Sequence, residues 1–316
     1  MRIVWIAALA LGSVLYLAAA EPPQDATKDM SWAYPVPDKN APPMDETAPR
    51  HVPDSSKTYT LKEIDNLMNP PDWYPEDHPA PPQVVTHGAS QGVLACGACH
   101  LMSGAGHPES ADLRGFPPEY IERELADFKS LARNDHGRMV SISKSISDDD
   151  AKQAADYFSS IKPTQWIKVE EARTVPKSIV NGGRMRLPAP GGGTEPLGDR
   201  IIELPDNPDL VLDRDPRSGF TAYVPVGSIA KGEKLATTGG AGKTIQCSIC
   251  HGENLTGLGE VPRIAGLHPI YIVRQLHNFQ NGDRNGKSSA LMKGVVAKLS
   301  DNDIIDLAAY VSSNQP

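Results

Sequence analysis

The chain has 316 residues, with 31 Lys and Arg against 39 Asp and Glu, and therefore a formal net charge of −8. This acidic balance argues against a nucleic-acid-binding protein, and the length suggests about two domains at the usual ~100–200 residues per domain. With 29 prolines, 27 glycines and only 6% aromatic residues, much of the chain is expected to be loop, and a large aromatic core is excluded.

Residues 1–20 have the pattern of a secretory signal peptide. Arg2 precedes an uncharged apolar run that ends in three alanines, and Glu21-Pro22-Pro23 follows at once. Small residues before a helix-breaking segment favour cleavage, although the run is also long enough to serve as a retained membrane anchor. The sequence therefore predicts a periplasmic protein, soluble if the signal is cleaved and anchored if it is kept.

Residues 21–86 form a predicted proline-rich N-terminal extension. Fourteen prolines fall in these sixty-six residues, so extended backbone is expected to dominate. One short helix is predicted after Thr60, because Thr60-x-x-Glu63 is a capping box.

Two later segments repeat each other at an offset of 151 residues, which slips to 153 towards their ends. Residue type and order are kept in both copies across some sixty positions, which chance matching would not produce. The repeat predicts a duplicated domain, at 87–162 and at 227–316. Pairs of identical residues include Cys96 and Cys247, Gly115 and Gly266, Tyr120 and Tyr271, Arg133 and Arg284, Met139 and Met292, and Tyr157 and Tyr310.

Each copy is predicted to be helical. Pro118 and Pro269 precede apolar residues at helical spacing, and proline is tolerated in a first helical turn. Ser147 and Ser300 are predicted N-caps of the last helix in each copy. The interdomain segment 163–226 is rich in Pro and Gly, and short strands are predicted there at 166–169, 200–204, 210–212 and 220–224. The predicted fold is mainly α, with two tandem domains joined by this long segment.

The four cysteines lie in two C-x-x-C-H motifs, Cys96-Gly97-Ala98-Cys99-His100 and Cys247-Ser248-Ile249-Cys250-His251. This is the attachment pattern of c-type haem. Two thiols three residues apart on one helical turn can both add to haem vinyl groups, and the following imidazole then reaches the iron. The cofactors predicted are two covalently attached c-type haems, with His100 and His251 as iron ligands.

Three alternatives for the cysteines fit the motifs less well. A redox-active disulfide would need a thioredoxin-like βαβ setting, which the sequence lacks. A structural zinc site would bring both pairs together as Cys₄ and give the two histidines no role. Plain disulfides would not require a histidine after each pair.

The sixth iron ligand of each haem is predicted from the same repeat. Among eight methionines, only Met139 and Met292 align with each other, and a thioether opposite histidine raises the reduction potential. For the first haem His136 remains an alternative, because it lies three residues before Met139. Arg133 and Arg284 are candidates to pair with a haem propionate, although an ordinary surface position suits them equally.

The motifs resemble those of two-domain dihaem class I cytochromes c, and are similar to the c-four group of periplasmic electron carriers. The resemblance covers 91–161 and 227–313 and is best in the second copy. It implies one covalent haem per domain, His/Met ligation and single-electron transfer without turnover of a substrate. Leu101 and Leu131 depart from the pattern, because glycines occupy the corresponding positions 252 and 282.

The function predicted is that of a periplasmic carrier, with no catalytic residues and no nucleic-acid partner. It would take electrons from a dehydrogenase or a quinol-oxidising complex and pass them to a terminal oxidase. One alternative is a dedicated cytochrome subunit of a periplasmic dehydrogenase. Another is a dihaem peroxidase, which two methionine ligands argue against, because peroxide needs an open iron site.

Overall fold

The computed structural model describes residues 30–39, 45–89, 93–135, 137–181 and 185–316. The predicted signal peptide lies outside the described residues, and so does His136. Among the described residues, no helix is both long enough and apolar enough to cross a membrane. The predicted domain boundaries stay predictions, and 87–162 and 227–316 are called domain 1 and domain 2 below.

The described residues of the N-terminal extension, 21–86, form a 3₁₀ turn at Ser31–Ala33 and otherwise only short regular elements. Its predicted capping box is confirmed, because Thr60 Oγ1 accepts from the Glu63 amide while the Glu63 side chain accepts from the Thr60 amide. A small core of Val52, Leu61, Ile64, Trp73 and Tyr74 holds the extension together. Its elements are β1 (Pro49–Arg50), β2 (Tyr59–Thr60), α1 (Leu61–Ile64) and α2 (Gln83–Thr86).

The described residues of domain 1 form four helices, and the two predicted helix starts, at Pro118 and Ser147, are confirmed. Pro118 occupies the first turn of its helix, and the Ser147 side chain accepts from the Asp150 amide at the start of the last helix. The helices are α3 (Gly97–His100), α4 (Pro118–Ser130), α5 (Met139–Ser145) and α6 (Asp148–Ser160).

Domain 2 repeats this arrangement and adds a longer first helix. Pro269 and Ser300 begin their helices as predicted. Gly232 lets the first helix approach the last one closely, because a Cβ there would lie 1.9 Å from the Asp306 carbonyl oxygen. The helices are α8 (Ser228–Thr238), α9 (Ser248–His251), α10 (Pro269–Asn281), α11 (Ser289–Val296) and α12 (Asp301–Ser313), with a 3₁₀ turn at Gly240–Gly242 after α8.

The interdomain segment, 163–226, forms small sheets. The largest has the order β3-β9-β8, with β3 parallel and β8 antiparallel to β9. The predicted strands at 166–169, 200–204 and 220–224 are confirmed in substance. The strands are β3 (Ile167–Glu171), β4 (Thr174–Pro176), β5 (Ser178–Val180), β6 (Arg186–Pro188), β7 (Thr194–Pro196), β8 (Ile202–Pro205) and β9 (Phe220–Val224).

The predicted strand at 210–212 is wrong, because these residues end the helix α7 (Pro208–Leu212). The Asn207 side chain accepts from the Asp209 and Leu210 amides, and Pro208 occupies the first helical turn. A capping side chain followed by proline starts a helix, and this local signal overrides the β preference of the three apolar residues.

The two departures from the repeat have different structural consequences. Leu131 ends α4 in the left-handed region at φ 65°, where Gly282 ends α10 at φ 88°. Leu101 has φ 61° and ψ 161°, a conformation that costs a non-glycine residue about 1–3 kcal/mol. Its side chain is buried with Trp166 and Phe220 of the interdomain segment, so this packing offsets the strain.

Candidate functional site

The two C-x-x-C-H motifs have the same backbone conformation. Each first cysteine is the N-cap of a four-residue helix, α3 or α9, that ends at the histidine. The amide of His100 donates to the carbonyl of Cys96 at 2.9 Å, and His251 repeats this bond with Cys247 at 2.9 Å. Both thiols and the imidazole of each motif therefore lie on one helical turn, as covalent haem attachment requires.

The two motif histidines also have the same second hydrogen bond. Nδ1 of His100 donates to the Ala111 carbonyl at 2.8 Å, and Nδ1 of His251 donates to the Pro262 carbonyl at 2.8 Å. Since a carbonyl only accepts, this bond fixes the proton on Nδ1 and leaves Nε2 as the free lone pair. Metal-ligating histidines are held by this kind of contact.

Burial keeps both imidazoles neutral. It lowers the pKa of His100 and of His251 and outweighs the opposing effect of the carbonyl hydrogen bond. The charge of Arg284 lowers the pKa of His251 further. An imidazole must be neutral to bind iron, so this environment favours ligation over protonation.

The cysteines do not form the alternative sites. None of the four is in a disulfide, and the described residues contain no group of three or more His, Cys, Asp or Glu side chains placed to hold a metal ion. Burial raises the pKa of Cys96 to about 12 and that of Cys247 to about 11, so the thiols are protonated at neutral pH. Two separate Cys-Cys-His turns thus remain, which suits two haems and not one Cys₄ zinc ion.

Met139 and Met292 lie on corresponding helices. Met139 is the first residue of α5, where its amide donates to Asp135 at 3.1 Å, and Met292 lies within α11. Both side chains are half-buried. Their role as sixth ligands, and the choice between Met139 and His136, stay predictions.

Arg133 and Arg284 meet at the contact between domain 1 and domain 2. They form an antiparallel β-bridge with each other and are 6% and 7% exposed. The Asn285 amide donates to the Ala132 carbonyl at 2.6 Å beside the bridge. Neither arginine is therefore an ordinary surface residue.

One carboxylate holds both guanidiniums. Glu124 accepts from Arg133 Nη1 at 2.6 Å and from Arg284 Nη2 at 2.6 Å. Burial alone would raise the pKa of Glu124, but the two guanidiniums reverse this and lower it. Glu124 was not predicted from the sequence, although the offset of 151 pairs it with Gln275, whose amide oxygen accepts from Arg133 Nη2 at 2.8 Å.

In the cluster of Arg133, Arg284 and Glu124, one guanidinium nitrogen remains available to hydrogen-bond a haem. Nε of Arg284 is buried without a hydrogen-bond partner among the described residues, and a buried guanidinium nitrogen calls for an anionic acceptor. A haem propionate is such a group. The residues present thus fit the cofactor, and the pairing of Arg133 and Arg284 with propionates stays a prediction.

Two matching haem-attachment turns in two helical domains define a dihaem class I c-type cytochrome. The sequence model of the cytochrome c family matches residues 229–315. Cytochrome c4 of Stutzerimonas stutzeri is 31% identical over 229 residues, which cover 71% of this chain and 86% of that protein. The chain belongs to the cytochrome c4 family; it carries two c-type haems and is an electron carrier.

One further relative is named as the electron acceptor of an enzyme. The thiosulfate dehydrogenase electron acceptor of Thiomonas intermedia is 25% identical over 226 residues, covering 70% of this chain and 79% of that protein. The fold is also similar to that of thiosulfate dehydrogenase from Marichromatium purpuratum, with a TM-score of 0.50, 23% identity, and coverage of 72% of this chain and 38% of that chain.

Proposed function

We propose that the protein is a periplasmic carrier that receives single electrons from a dehydrogenase or a quinol-oxidising complex and delivers them to a terminal oxidase. The signal-peptide pattern of residues 1–20 supports the compartment. The observation that carries the proposal is the equal fixing of His100 and His251 by Nδ1–H to carbonyl bonds. Each domain thus holds one imidazole in the tautomer that would bind a haem iron.

The haems supply reversible one-electron chemistry when they are bound, because iron cycles between Fe(II) and Fe(III). The protein's own residues hold that chemistry in place. The Nδ1–H bonds orient the two imidazoles, and the arginine contact with Glu124 ties domain 1 to domain 2. No residue with a role in bond-making is required, because an electron carrier transforms no substrate.

A peroxidase is the competing enzyme, and it needs an iron position open to peroxide. Two aligned methionines support closure of both sixth positions. We expect the fully reduced protein to bind carbon monoxide slowly at both haems and to show no rapid peroxide turnover with an ordinary electron donor. The measurement is the visible spectrum under carbon monoxide, followed by a peroxide assay. Fast binding at one haem together with rapid turnover would establish the peroxidase instead.

A dedicated dehydrogenase subunit is a second candidate, and the N-terminal extension and interdomain segment favour it. Both add surface outside the two repeated domains, and a permanent partner would bury such surface. The relative from Thiomonas intermedia, named as the electron acceptor of thiosulfate dehydrogenase, points to the same class of donor. Copurification with a dehydrogenase in fixed stoichiometry would favour the subunit, whereas purification as a free chain would favour the carrier.

A further inference from the structure

The two carbonyls that hold the motif histidines occupy equivalent positions of the repeat. Nδ1 of His100 donates to Ala111, and Nδ1 of His251 donates to Pro262. The offset of 151 pairs Ala111 with Pro262, and each lies in the loop between the attachment turn and the next long helix. The orientation of each imidazole therefore depends on how firmly one loop is held.

The residues that follow these two carbonyls form an ion pair with each other. Asp112 follows Ala111, Arg263 follows Pro262, and the offset of 151 pairs Asp112 with Arg263 as well. Nη2 of Arg263 lies 2.7 Å from Oδ2 of Asp112, and the two side chains are 2% and 1% exposed. One buried ion pair thus joins the backbone positions next to both carbonyls.

The Asp112 carboxylate has a second cationic partner in its own loop. Nε of Arg114 donates to Asp112 Oδ1 at 3.0 Å, and Nη2 of Arg114 donates to Asp112 Oδ2 at 2.7 Å. Burial raises the pKa of Asp112, but the charges of Arg263 and Arg114 outweigh burial and lower the pKa. The carboxylate is therefore ionised at neutral pH and holds both guanidiniums.

Arg263 also binds the backbone of both domains. Its Nε donates to the Arg114 carbonyl in domain 1 at 3.0 Å, and its Nη1 donates to the Ala265 carbonyl in domain 2 at 2.9 Å. Its guanidinium carbon lies 5.5 Å from the centroid of the Phe116 ring of domain 1. Arg263 and Phe116 are both buried, so water cannot replace these contacts. A movement of either loop would therefore strain the other.

Another ion pair between the two domains is exposed and provides a comparison. Glu260, two residues before Pro262, accepts from Nη1 of Arg123 in α4 at 3.0 Å. The Glu260 side chain is 67% exposed, so water screens the attraction and the pair contributes little. Removing one partner of the buried pair leaves an uncompensated charge instead. Of these two ion pairs, the buried one is therefore expected to hold the loops.

We propose that Asp112 and Arg263 are positioning residues that fix both motif histidines at once, so that each domain depends on the other for the orientation of its iron ligand. The proposal rests on the proposed carrier function, in which His100 and His251 bind the haem irons. Contacts behind a ligating imidazole set its orientation. An imidazole held in this way is preorganised and need not turn when the iron gains or loses an electron.

The test is proton NMR of the oxidised holoprotein. The plane of an axial imidazole sets the pattern of the hyperfine-shifted haem-methyl resonances, so each haem reports on its own histidine. Asp112→Asn breaks the ion pair from domain 1, and Arg263→Gln breaks it from domain 2. The two variants change the local charge in opposite directions, so a response common to both does not come from charge. The control Glu260→Gln removes the exposed ion pair from the same loop as Arg263.

We expect Asp112→Asn and Arg263→Gln each to shift the haem-methyl resonances of both haems, with the control at wild-type positions. Each variant tests the effect across domains by itself, so one suffices if the other does not fold with two haems. A shift confined to the haem of the altered domain, no shift at all, or an equal shift in the control would overturn the proposal. A wild-type spectrum without two sets of haem-methyl resonances would instead overturn the carrier function.

Discussion

Replacement of Glu124 by Gln is expected to lower the free energy of unfolding by about 3–5 kcal/mol, because removing one partner of a buried ion pair leaves uncompensated charge. Glu124 is the carboxylate that both Arg133 and Arg284 share, each at 2.6 Å. Both guanidinium side chains are 8% exposed, so water cannot replace the lost partner. Denaturant unfolding of the holoprotein measures the loss.

Two further variants test whether the loss of stability comes from the shared ion pair. Glu122→Gln removes an exposed carboxylate from the same helix, and its effect should stay within about 0.5 kcal/mol. Glu124→Gln/Gln275→Glu moves the carboxylate to the paired position, where Gln275 already accepts from Arg133 at 2.8 Å and from Arg284 at 3.2 Å. This swap should restore most of the stability. A loss no greater in Glu124→Gln than in Glu122→Gln would contradict the shared ion pair.

The stability of the folded protein should also depend on pH through the Glu124 carboxylate. The pKa of Glu124 is lowered in the folded protein, so its contribution is complete above the unfolded pKa of about 4.3. That contribution is lost as the pH falls through the lower, folded pKa. The difference in stability between wild type and Glu124→Gln should therefore be constant near neutral pH and shrink in acid.

Replacement of Met139 by Ala is expected to lower the reduction potential of one haem, because the thioether stabilises Fe(II). Axial ligands span a range of about 0.8 V in haem proteins, so the change should be well resolved in a spectroelectrochemical titration. One of the two methionine–iron absorption features near the red edge of the oxidised spectrum should disappear.

Two further variants identify the ligand. Met292→Ala should cause the same changes at the other haem, and His136→Ala should cause neither. The repeat supports this outcome, because the offset of 153 that pairs Met139 with Met292 also pairs Ser147 with Ser300, and both serines cap helices. If His136→Ala lowered the potential and Met139→Ala did not, the first haem would be ligated by two histidines.

Local signals in the sequence predicted two helix starts in each domain correctly. Proline in a first turn and serine at an N-cap act through neighbouring backbone groups, so Pro118, Pro269, Ser147 and Ser300 mark helix starts without reference to the rest of the fold. The interpretation of 210–212 was wrong for the same kind of reason, because the Asn207-Pro208 helix start was overlooked.

Contacts between residues far apart in the sequence were harder to predict. Glu124 looks like one of several acidic residues on an amphipathic helix, and only the folded chain brings it to Arg284, 160 residues away. In the sequence, Leu101 is only a mismatch between the two copies, yet in the structure it packs on the interdomain segment. Arg214 likewise joins distant parts of the chain, because its guanidinium donates to the Ala98 carbonyl and to Asp65.

The number of covalently bound haems tests the central claim most directly. All four cysteines fall in the two C-x-x-C-H motifs, and each motif has its thiols and imidazole on one helical turn. Intact-mass analysis of protein purified from the periplasm should therefore show a gain of two haems that survives acid extraction, with no free thiol. A gain of one haem, or of none, would contradict the assignment of this chain as a dihaem electron carrier.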